Sequence, residues 1–308
     1  MNFMRTALVA ILMVLAAGPV AVAASSWMIV DDQTGHVLAA SGQNEKRQIA
    51  SLTKIATAMV VLDWAEASGT SLSTLVSVPS EVSGVGGVNP CQLQPGDQVS
   101  LRDLLYSAMM SSDNHAAYTL AQNVGQRLPN PQALSPVDNF SAQMNALARQ
   151  LGMKRSLFLN PHGLDSMSPP PHSTAADLAR LTRYAYSHAG FNFYVSQPTR
   201  EISIQGADGT TRGFLLRNTN ELLGRDGIEG VKTGHTRLAG DCIVLAADRE
   251  PEAVERDGQK TAIPRRIIVV LLGSADRFSE GLALIQRGWS LHENWSAQDR
   301  PVSKRSTL

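Results

Sequence analysis

Residues 51–67 read SLTKIATAMVVLDWAEA, and this stretch decides the fold. Apolar side chains recur on every side of the helix that it would form, and a helix of that kind is normally buried in the middle of a domain. Ser51 begins the stretch, and Lys54 lies three residues later on the same helical face. We therefore predict a central buried helix that carries a hydroxyl and an amine side by side at its start.

Ser51 and Lys54 are the residue types of a serine nucleophile and its general base. The positive end of the helix and the backbone N–H of Ser51 would lie close to a developing oxyanion. An ordinary lysine is protonated at neutral pH, so Lys54 could act as the general base only if burial or a second cation lowers its pKa. Alone, the same residues also fit a helix with a serine cap and a lysine that reaches solvent.

A second motif, Ser112-Asp113-Asn114, lies in a predicted break between helices at 101–110 and 115–124. A break of this kind projects side chains into a cleft. The Ser112 hydroxyl could relay a proton from Lys54 to a leaving group, and the Asn114 carboxamide could orient both the lysine and a substrate amide. The alternative is an ordinary helix–helix turn, which favours the same residue types.

The third motif, Lys232-Thr233-Gly234, lies late in a predicted strand. Glycine leaves one side of an edge strand bare, so that a substrate backbone can approach. Lys232 and Thr233 offer a cation and a hydroxyl suited to a carboxylate. The following N–H, from His235, would be the second oxyanion donor beside that of Ser51. A surface turn is the alternative when this motif is taken alone.

The remaining pattern predicts an α/β (α+β) protein. An early hairpin around residues 31–35 is followed by helices, at 139–151 and 174–187 among others, and then by five strands between residues 201 and 272. A last amphipathic helix covers residues 276–292. We expect one antiparallel sheet built from both chain ends and flanked by helices, with a mostly helical second lobe and the site in the cleft between them.

The first residues predict an exported protein. Arg5 precedes an apolar run from Thr6 to Ala17, then Gly18-Pro19, then the small-residue sequence Ala21-Val22-Ala23. This order is typical of a signal peptide, which we place at residues 1–24. The run is shorter than the ~20 apolar residues of a membrane span, so an uncleaved anchor is the less favoured alternative. We expect a periplasmic or extracellular protein with no stable membrane anchor after cleavage.

Composition excludes several classes of function. The 308 residues include 27 basic and 27 acidic side chains, and this balance gives no basic stripe for nucleic acid. The seven histidines show no metal-binding spacing, so no metal or other cofactor is expected. Cys91 and Cys242 are the only cysteines. We favour two unpaired thiols, although export also permits a disulfide.

Taken together, the three motifs resemble the active site of a known family. The chain is similar to low-molecular-mass penicillin-binding proteins, the D-alanyl-D-alanine carboxypeptidase and endopeptidase family. The resemblance covers roughly residues 26–293, and the stretches that carry it are Ala50–Lys54, Met109–Ala117, Asn160–Asp165, Arg217–Asn220 and Gly230–Gly240. It implies a penicillin-binding transpeptidase-like peptidase domain over residues 25–293 and a polar tail over 294–308.

The resemblance also implies the chemistry. Ser51 would form an acyl-enzyme with peptidoglycan stem peptides, with Lys54 as base, Ser112 and Asn114 as relay and orienting groups, and 232–234 as the strand that binds the substrate carboxylate. β-Lactams would acylate Ser51. We expect a carboxypeptidase that removes a terminal D-alanine, with cleavage of cross-links by an endopeptidase as the close alternative.

Departures from the family pattern keep that alternative open. Thr219 stands where many carboxypeptidases of the family have an arginine that helps to bind the terminal carboxylate.

A β-lactamase is not favoured, because residues 115–200 contain no glutamate to activate a deacylating water. A non-catalytic wall-binding module is also less favoured, because every motif residue is present.

Overall fold

A computed structural model describes residues 24–130, 132, 134–165, 168–256, 259–303 and 306–308. The expected leader, 1–24, therefore lies outside the described residues except for Ala24. The strands are β1 (Ser26–Asp31), β2 (Val37–Ser41), β3 (Leu75–Ser77), β4 (Gln98–Ser100), β5 (Thr199–Gln205), β6 (Thr211–Arg217), β7 (Ile228–Thr236), β8 (Gly240–Arg256) and β9 (Gln259–Ser274). The helices are α1 (Lys54–Ser68), α2 (Leu101–Met110), α3 (Asn114–Gly125), α4 (Pro136–Gln150), α5 (Ala175–Ser187), α6 (Phe191–Val195) and α7 (Arg277–Ser296).

The main sheet is antiparallel and is built from both ends of the chain, as the sequence predicts. Its strand order is β2-β1-β9-β8-β7. Side chains alternate between the two faces along each strand, and both faces of the sheet are covered by other parts of the protein. One face, which includes Ile29, Ile243 and Val269, packs with the buried side of α7. The opposite face, which includes Val244 and Val270, joins the core of the helical lobe.

The expectation of a single sheet is wrong in one respect. β5 and β6, predicted as strands of the main sheet, form a second four-stranded sheet with order β3-β4-β5-β6. Alternation of apolar and polar residues identifies a strand but says nothing about its partner. β5 pairs with β4 where Gln205 lies opposite Gln98. The helical lobe separates these two strands in the sequence, so their pairing cannot be read from neighbouring residues.

Helix α1 is buried on nearly every side, as its composition predicts. Its start differs from the prediction: residues 50–53 form a 3₁₀ turn, and the α-helix begins at Lys54. Gly69, with φ of +66°, ends the helix in the left-handed conformation that glycine favours. Ser51 therefore lies in a tight turn just before α1.

The C-terminal region is more ordered than a polar tail. Helix α7 continues to Ser296, and its Ile285 and Trp289 are buried in the core, as expected for the apolar face of an amphipathic helix. The backbone of Thr307 then pairs with that of His36, and Leu308 packs against the main core. The polar composition of 294–308 gave no sign of this, because the pairing uses backbone groups that every residue has. No helix within the described ranges is long and apolar enough to cross a membrane.

Candidate active site

The structure brings the first two motifs together around the amine of Lys54. Its Nζ lies 2.9 Å from Ser51 Oγ, 2.7 Å from Asn114 Oδ1 and 3.0 Å from the carbonyl oxygen of His162. A neutral amine has two N–H donors and one lone pair. Two of the three neighbours are carbonyl oxygens, which can only accept hydrogen bonds. The lone pair is therefore left to accept the hydroxyl proton of Ser51.

The environment of Lys54 favours this neutral form. The side chain is fully buried, and burial lowers its pKa well below the usual value. The positive charge of Lys232 lowers the pKa further, while the carboxylate of Asp113 opposes this shift. The sequence analysis required burial or a second cation before Lys54 could act as a base. In the structure Lys54 has both.

The loop at residues 160–165 holds the third neighbour of Lys54 in place. Asn160 Oδ1 accepts the backbone N–H of Gly163 at 2.6 Å and closes the turn. Gly163 has φ of +88°, and a Cβ there would lie 1.9 Å from the carbonyl oxygen of Ala50. Only glycine lets the loop pack this tightly against the turn of Ser51. Burial is the main cause that lowers the pKa of His162 to about 3, which keeps its ring neutral.

Asn114 is the first residue of α3, and both ends of its side-chain amide have a partner. While Oδ1 faces Lys54, Nδ2 donates to the carbonyl oxygen of Gly86 at 2.9 Å. Gly87 lies against the same amide, since a Cβ there would be 2.1 Å from Asn114 Nδ2. These contacts fix which end of the carboxamide faces the lysine.

A buried polar network supports the turn that contains Ser112. Asp113 Oδ1 accepts the N–H of Ala116 at 3.0 Å and caps α3, and Asp113 Oδ2 accepts the hydroxyl of Ser107 at 2.9 Å. Cys91 Sγ lies 3.1 Å from the same hydroxyl. Cys91 and Cys242 are both buried and unpaired. Cys91 is therefore part of the packing behind the turn.

Ser112 is placed at the tip of that turn in a strained backbone conformation. Its φ is +62°, a region that residues with a side chain rarely adopt, and Ala50, just before Ser51, has φ of +48°. Such conformations cost about 1–3 kcal/mol each and tend to occur at functional sites. Among the described residues, Ser112 Oγ makes no hydrogen bond, so its hydroxyl is not fixed to Lys54.

The third motif lies on β7, the edge strand of the main sheet, which packs beside the turn of Ser51. A Cβ at Gly234 would be 3.1 Å from the backbone nitrogen of Ser51, so glycine permits the close approach. Thr233 Oγ1 lies 2.7 Å from Thr219 Oγ1. The ring of His235 points outward and bonds Asp241 at 2.7 Å, so only its backbone can face the serine turn.

Lys232 is the surprise of this strand, because it is not an exposed cation. It is 1% exposed, and its Nζ donates to the carbonyl oxygen of Thr233 at 3.1 Å. Burial, and then the charge of Arg277, lower its pKa to about 7. Arg277 itself bonds Asp241 and the carbonyl oxygen of Gly234, both at 3.0 Å.

Sequence reasoning found the side chains of the site but missed three contributors. The carbonyl oxygen of His162, the supporting Arg277 and the Ser107–Asp113 bond all lie outside the motif residues to which roles were given. Only the Asn160–Asp165 stretch pointed to one of them, and then only as a turn. Within the described residues, no group of three histidine, cysteine or acidic side chains could hold a metal ion.

Comparison with known proteins shows which family the chain belongs to. A family model described as D-alanyl-D-alanine carboxypeptidase matches residues 13–255. A D-alanyl-D-alanine endopeptidase of Pseudomonas aeruginosa is 36% identical over 72% of this chain and 66% of its own length. The D-alanyl-D-alanine carboxypeptidase DacD of Salmonella typhimurium is 32% identical over 88% of this chain and 64% of its own. The chain thus spans less than two thirds of the length of these relatives.

A solved structure gives the same picture at the level of the fold. The crystal structure of the Streptomyces K15 DD-transpeptidase is 28% identical to this chain and superposes with a TM-score of 0.75. The match covers 88% of this chain and 98% of that one. The transpeptidase-like architecture that the family resemblance implies is therefore confirmed.

Proposed function

The chain belongs to the D-alanyl-D-alanine carboxypeptidase family of low-molecular-mass penicillin-binding proteins, and from this we propose that it is a serine-type D-Ala-D-Ala carboxypeptidase of peptidoglycan. One observation carries the proposal. Lys54 Nζ lies 2.7 and 3.0 Å from two carbonyl oxygens, to which a neutral amine would donate both of its N–H groups, and 2.9 Å from Ser51 Oγ, which would then face the lone pair. That geometry suits a neutral amine that takes a proton from the serine.

In the first step, Ser51 Oγ attacks the carbonyl carbon between the two terminal D-alanines of a stem peptide. The hydroxyl proton passes to Lys54 Nζ as the C–O bond forms. The backbone N–H groups of Ser51 and His235 stabilise the oxyanion; losing one such donor typically lowers the rate ~10²–10³-fold. The C–N bond then breaks, and the departing D-alanine amine receives the proton from Lys54 through the Ser112 hydroxyl.

In the second step, water hydrolyses the acyl-enzyme. Lys54 is neutral again once the amine has left, and it lies close enough to Ser51 Oγ to accept a proton from the attacking water. The new C–O bond to water replaces the ester bond to Ser51, and the proton returns from Lys54 to the serine. A β-lactam would enter the first step in the same way and leave slowly in the second.

The terminal carboxylate would lie along β7. Thr233 offers a hydroxyl, and Lys232 offers a positive charge in its protonated form, although its Nζ is engaged with the carbonyl oxygen of Thr233. Asn114, oriented by Gly86, has its amide beside the reacting bond. These features suit a substrate with a D-alanine carboxylate.

Endopeptidase activity on cross-links is the second candidate, and Thr219 favours it. In this chain the Thr219 hydroxyl is bonded to that of Thr233, where many carboxypeptidases of the family present an arginine. A neutral side chain at this position attracts a free carboxylate less strongly. It would tolerate a larger group beyond the scissile bond.

The proposed substrate indicates the cellular compartment in which the protein works. Stem peptides of peptidoglycan and β-lactams are met outside the cytoplasmic membrane, so we propose that the protein works in the periplasm or the cell-wall space after removal of the leader. The pattern of residues 1–23 supports this placement.

Mass spectrometry of muropeptides tests the proposal. We expect the purified enzyme to remove one alanine from pentapeptide monomers and to leave dimers intact. Conversion of dimers into monomers would establish the endopeptidase instead. Failure of both reactions, together with failure of a fluorescent penicillin to label Ser51, would contradict the catalytic proposal itself.

A further inference from the structure

Glu280 is a buried carboxylate in the first turn of α7, and it has only neutral partners. The residue is 5% exposed. Oε1 accepts the hydroxyl of Ser274 at 2.9 Å, and Oε2 accepts the backbone N–H of Ala24 at 2.8 Å. Over the described part of the chain, no lysine, arginine or histidine lies within ion-pair distance of it. A carboxylate removed from water without a cation is strongly unfavourable.

The charged groups around Glu280 do not supply that cation. Arg277, on the same helix, is held by Asp241 and by the carbonyl oxygen of Gly234. Asp276, which caps α7, is itself an acid, and its Oδ1 accepts the N–H groups of residues 278 and 279. None of the described charged side chains therefore forms an ion pair with Glu280.

The nitrogen of Ala24 is held at this site by β1, which follows it in the chain, and by β9, with which β1 pairs. Ala24 lies just before β1, whose first residue, Ser26, pairs with Leu272 near the end of β9. Its side chain packs against the core between the sheet and α7. The nitrogen therefore sits beside the carboxylate because the sheet places it there.

The sequence directly before Ala24 has the form of a cleavage site. Ala21-Val22-Ala23 has small residues at the two positions that signal peptidases read. Hydrolysis of the bond between Ala23 and Ala24 would leave a carboxylate on Ala23 and an α-ammonium group on Ala24. The amide that bonds Glu280 in the full chain would become a full positive charge at the same position.

We propose that the leader is removed between Ala23 and Ala24, and that the new α-ammonium of Ala24 forms a buried ion pair with Glu280. The proposal moves the end of the leader one residue forward from the boundary expected from the sequence. It also gives cleavage a structural effect, because the ion pair joins β1, the end of β9 and α7. Arg277, one turn away on the same helix, donates a hydrogen bond to β7, the strand proposed to bind the substrate carboxylate. The new ion pair would therefore stabilise the structure behind the active site.

The first test is the N-terminal sequence of the full chain after export from a bacterial host. We expect it to begin at Ala24. A mature protein that begins at any other residue would overturn the proposal, whether or not it is active on peptidoglycan.

The second test measures whether the two charges interact. Thermal unfolding is compared for a chain that begins at Ala24 and for one that begins at Ala23, each with and without Glu280→Gln. We expect Glu280→Gln to lower the Tm by about 5 °C in the chain that begins at Ala24, and by clearly less in the longer chain, where Ala24 keeps an amide. An equal loss in both chains would refute the ion pair.

Two further samples keep the test decisive. Glu293→Gln removes a carboxylate from the same helix, but this one is exposed and pairs with Arg249 at the surface. We expect it to change the Tm by no more than about 1 °C. If Glu280→Gln fails to fold, acetylation of the Ala24 amine removes the positive charge without touching the core. An acetylated chain as stable as the free one would refute the proposal.

Discussion

Asn114→Asp provides a stringent test of the proposed base, because it exchanges one atom beside Lys54 for a charge. In the wild-type protein a neutral carboxamide oxygen faces Nζ at 2.7 Å. A carboxylate at the same distance would stabilise the protonated lysine. Since only neutral Lys54 can accept the serine proton, the acid limb of the acylation rate should move to higher pH.

The size of the shift follows from the distance. At an effective dielectric constant of about 20, two unit charges 2.7 Å apart attract by about 6 kcal/mol, or about 4.5 pKa units at 1.36 kcal/mol per unit. The new carboxylate is itself taken out of water, which reduces the net effect to the range of about 1–3 units found for such neighbours. We expect a shift of about 2 units and an approximately 100-fold slower acylation below the wild-type midpoint.

The assay is the second-order rate of labelling by a fluorescent penicillin, measured from mildly acidic to alkaline pH. Asn220→Asp is the matched control. Asn220 is also buried and donates its Nδ2 to a backbone carbonyl, that of Gly230 at 3.1 Å, but it does not contact Lys54. The control should keep the wild-type acid limb. An unmoved limb in Asn114→Asp, or equal shifts in both variants, would refute Lys54 as the group whose ionisation governs acylation.

Three further changes test the remaining parts of the site. Ser51→Ala should abolish penicillin labelling without altering the melting curve, and stoichiometric adduct in its intact mass would sink the nucleophile assignment. Lys54→Ala should slow acylation by about 10²–10⁴-fold, with little recovery at alkaline pH because the base itself is missing; a near-normal rate would assign that role to another group. Gly163→Ala should lower both the Tm and the labelling rate, since its Cβ would lie 1.9 Å from a backbone oxygen. Gly152→Ala is the control for backbone strain alone, because Gly152 also has positive φ (+70°) but open space around its Cα; equal losses in the two variants would show that crowding is not the cause.

The sequence could predict which side chains meet at the site, because their types and spacings are visible in it. The serine, the lysine and the asparagine can be read directly from the sequence at their spacings. The apolar residues on every side of α1 favour burial of the lysine. The third partner of Lys54 could not be found in this way. The carbonyl oxygen of His162 belongs to the backbone, and every residue type has the same one.

The fold was predictable to a similar depth. The strands of the main sheet and the core face of α7 follow from the period of the apolar residues, and the burial of α1 follows from the apolar residues on every side of it. The assignment of β5 and β6 to a second sheet does not, because period determines which face of a strand is buried but not which strand lies next to it. The same reason explains why the pairing of Thr307 with His36 was missed.

The order of strands in the main sheet has a consequence for synthesis and folding. β1 lies between β2 and β9, and Ser26 pairs with Leu272, near the far end of the described chain. Such distant pairing closes a very long loop and is slow, whereas the helices of the middle region make local contacts and can form early. All three motifs lie before residue 235, yet β7 reaches the rest of the sheet only through β8 and β9. A chain interrupted at residue 240 would thus contain every side chain with a proposed catalytic role but would lack the two strands, β8 and β9, that join β7 to the rest of the sheet.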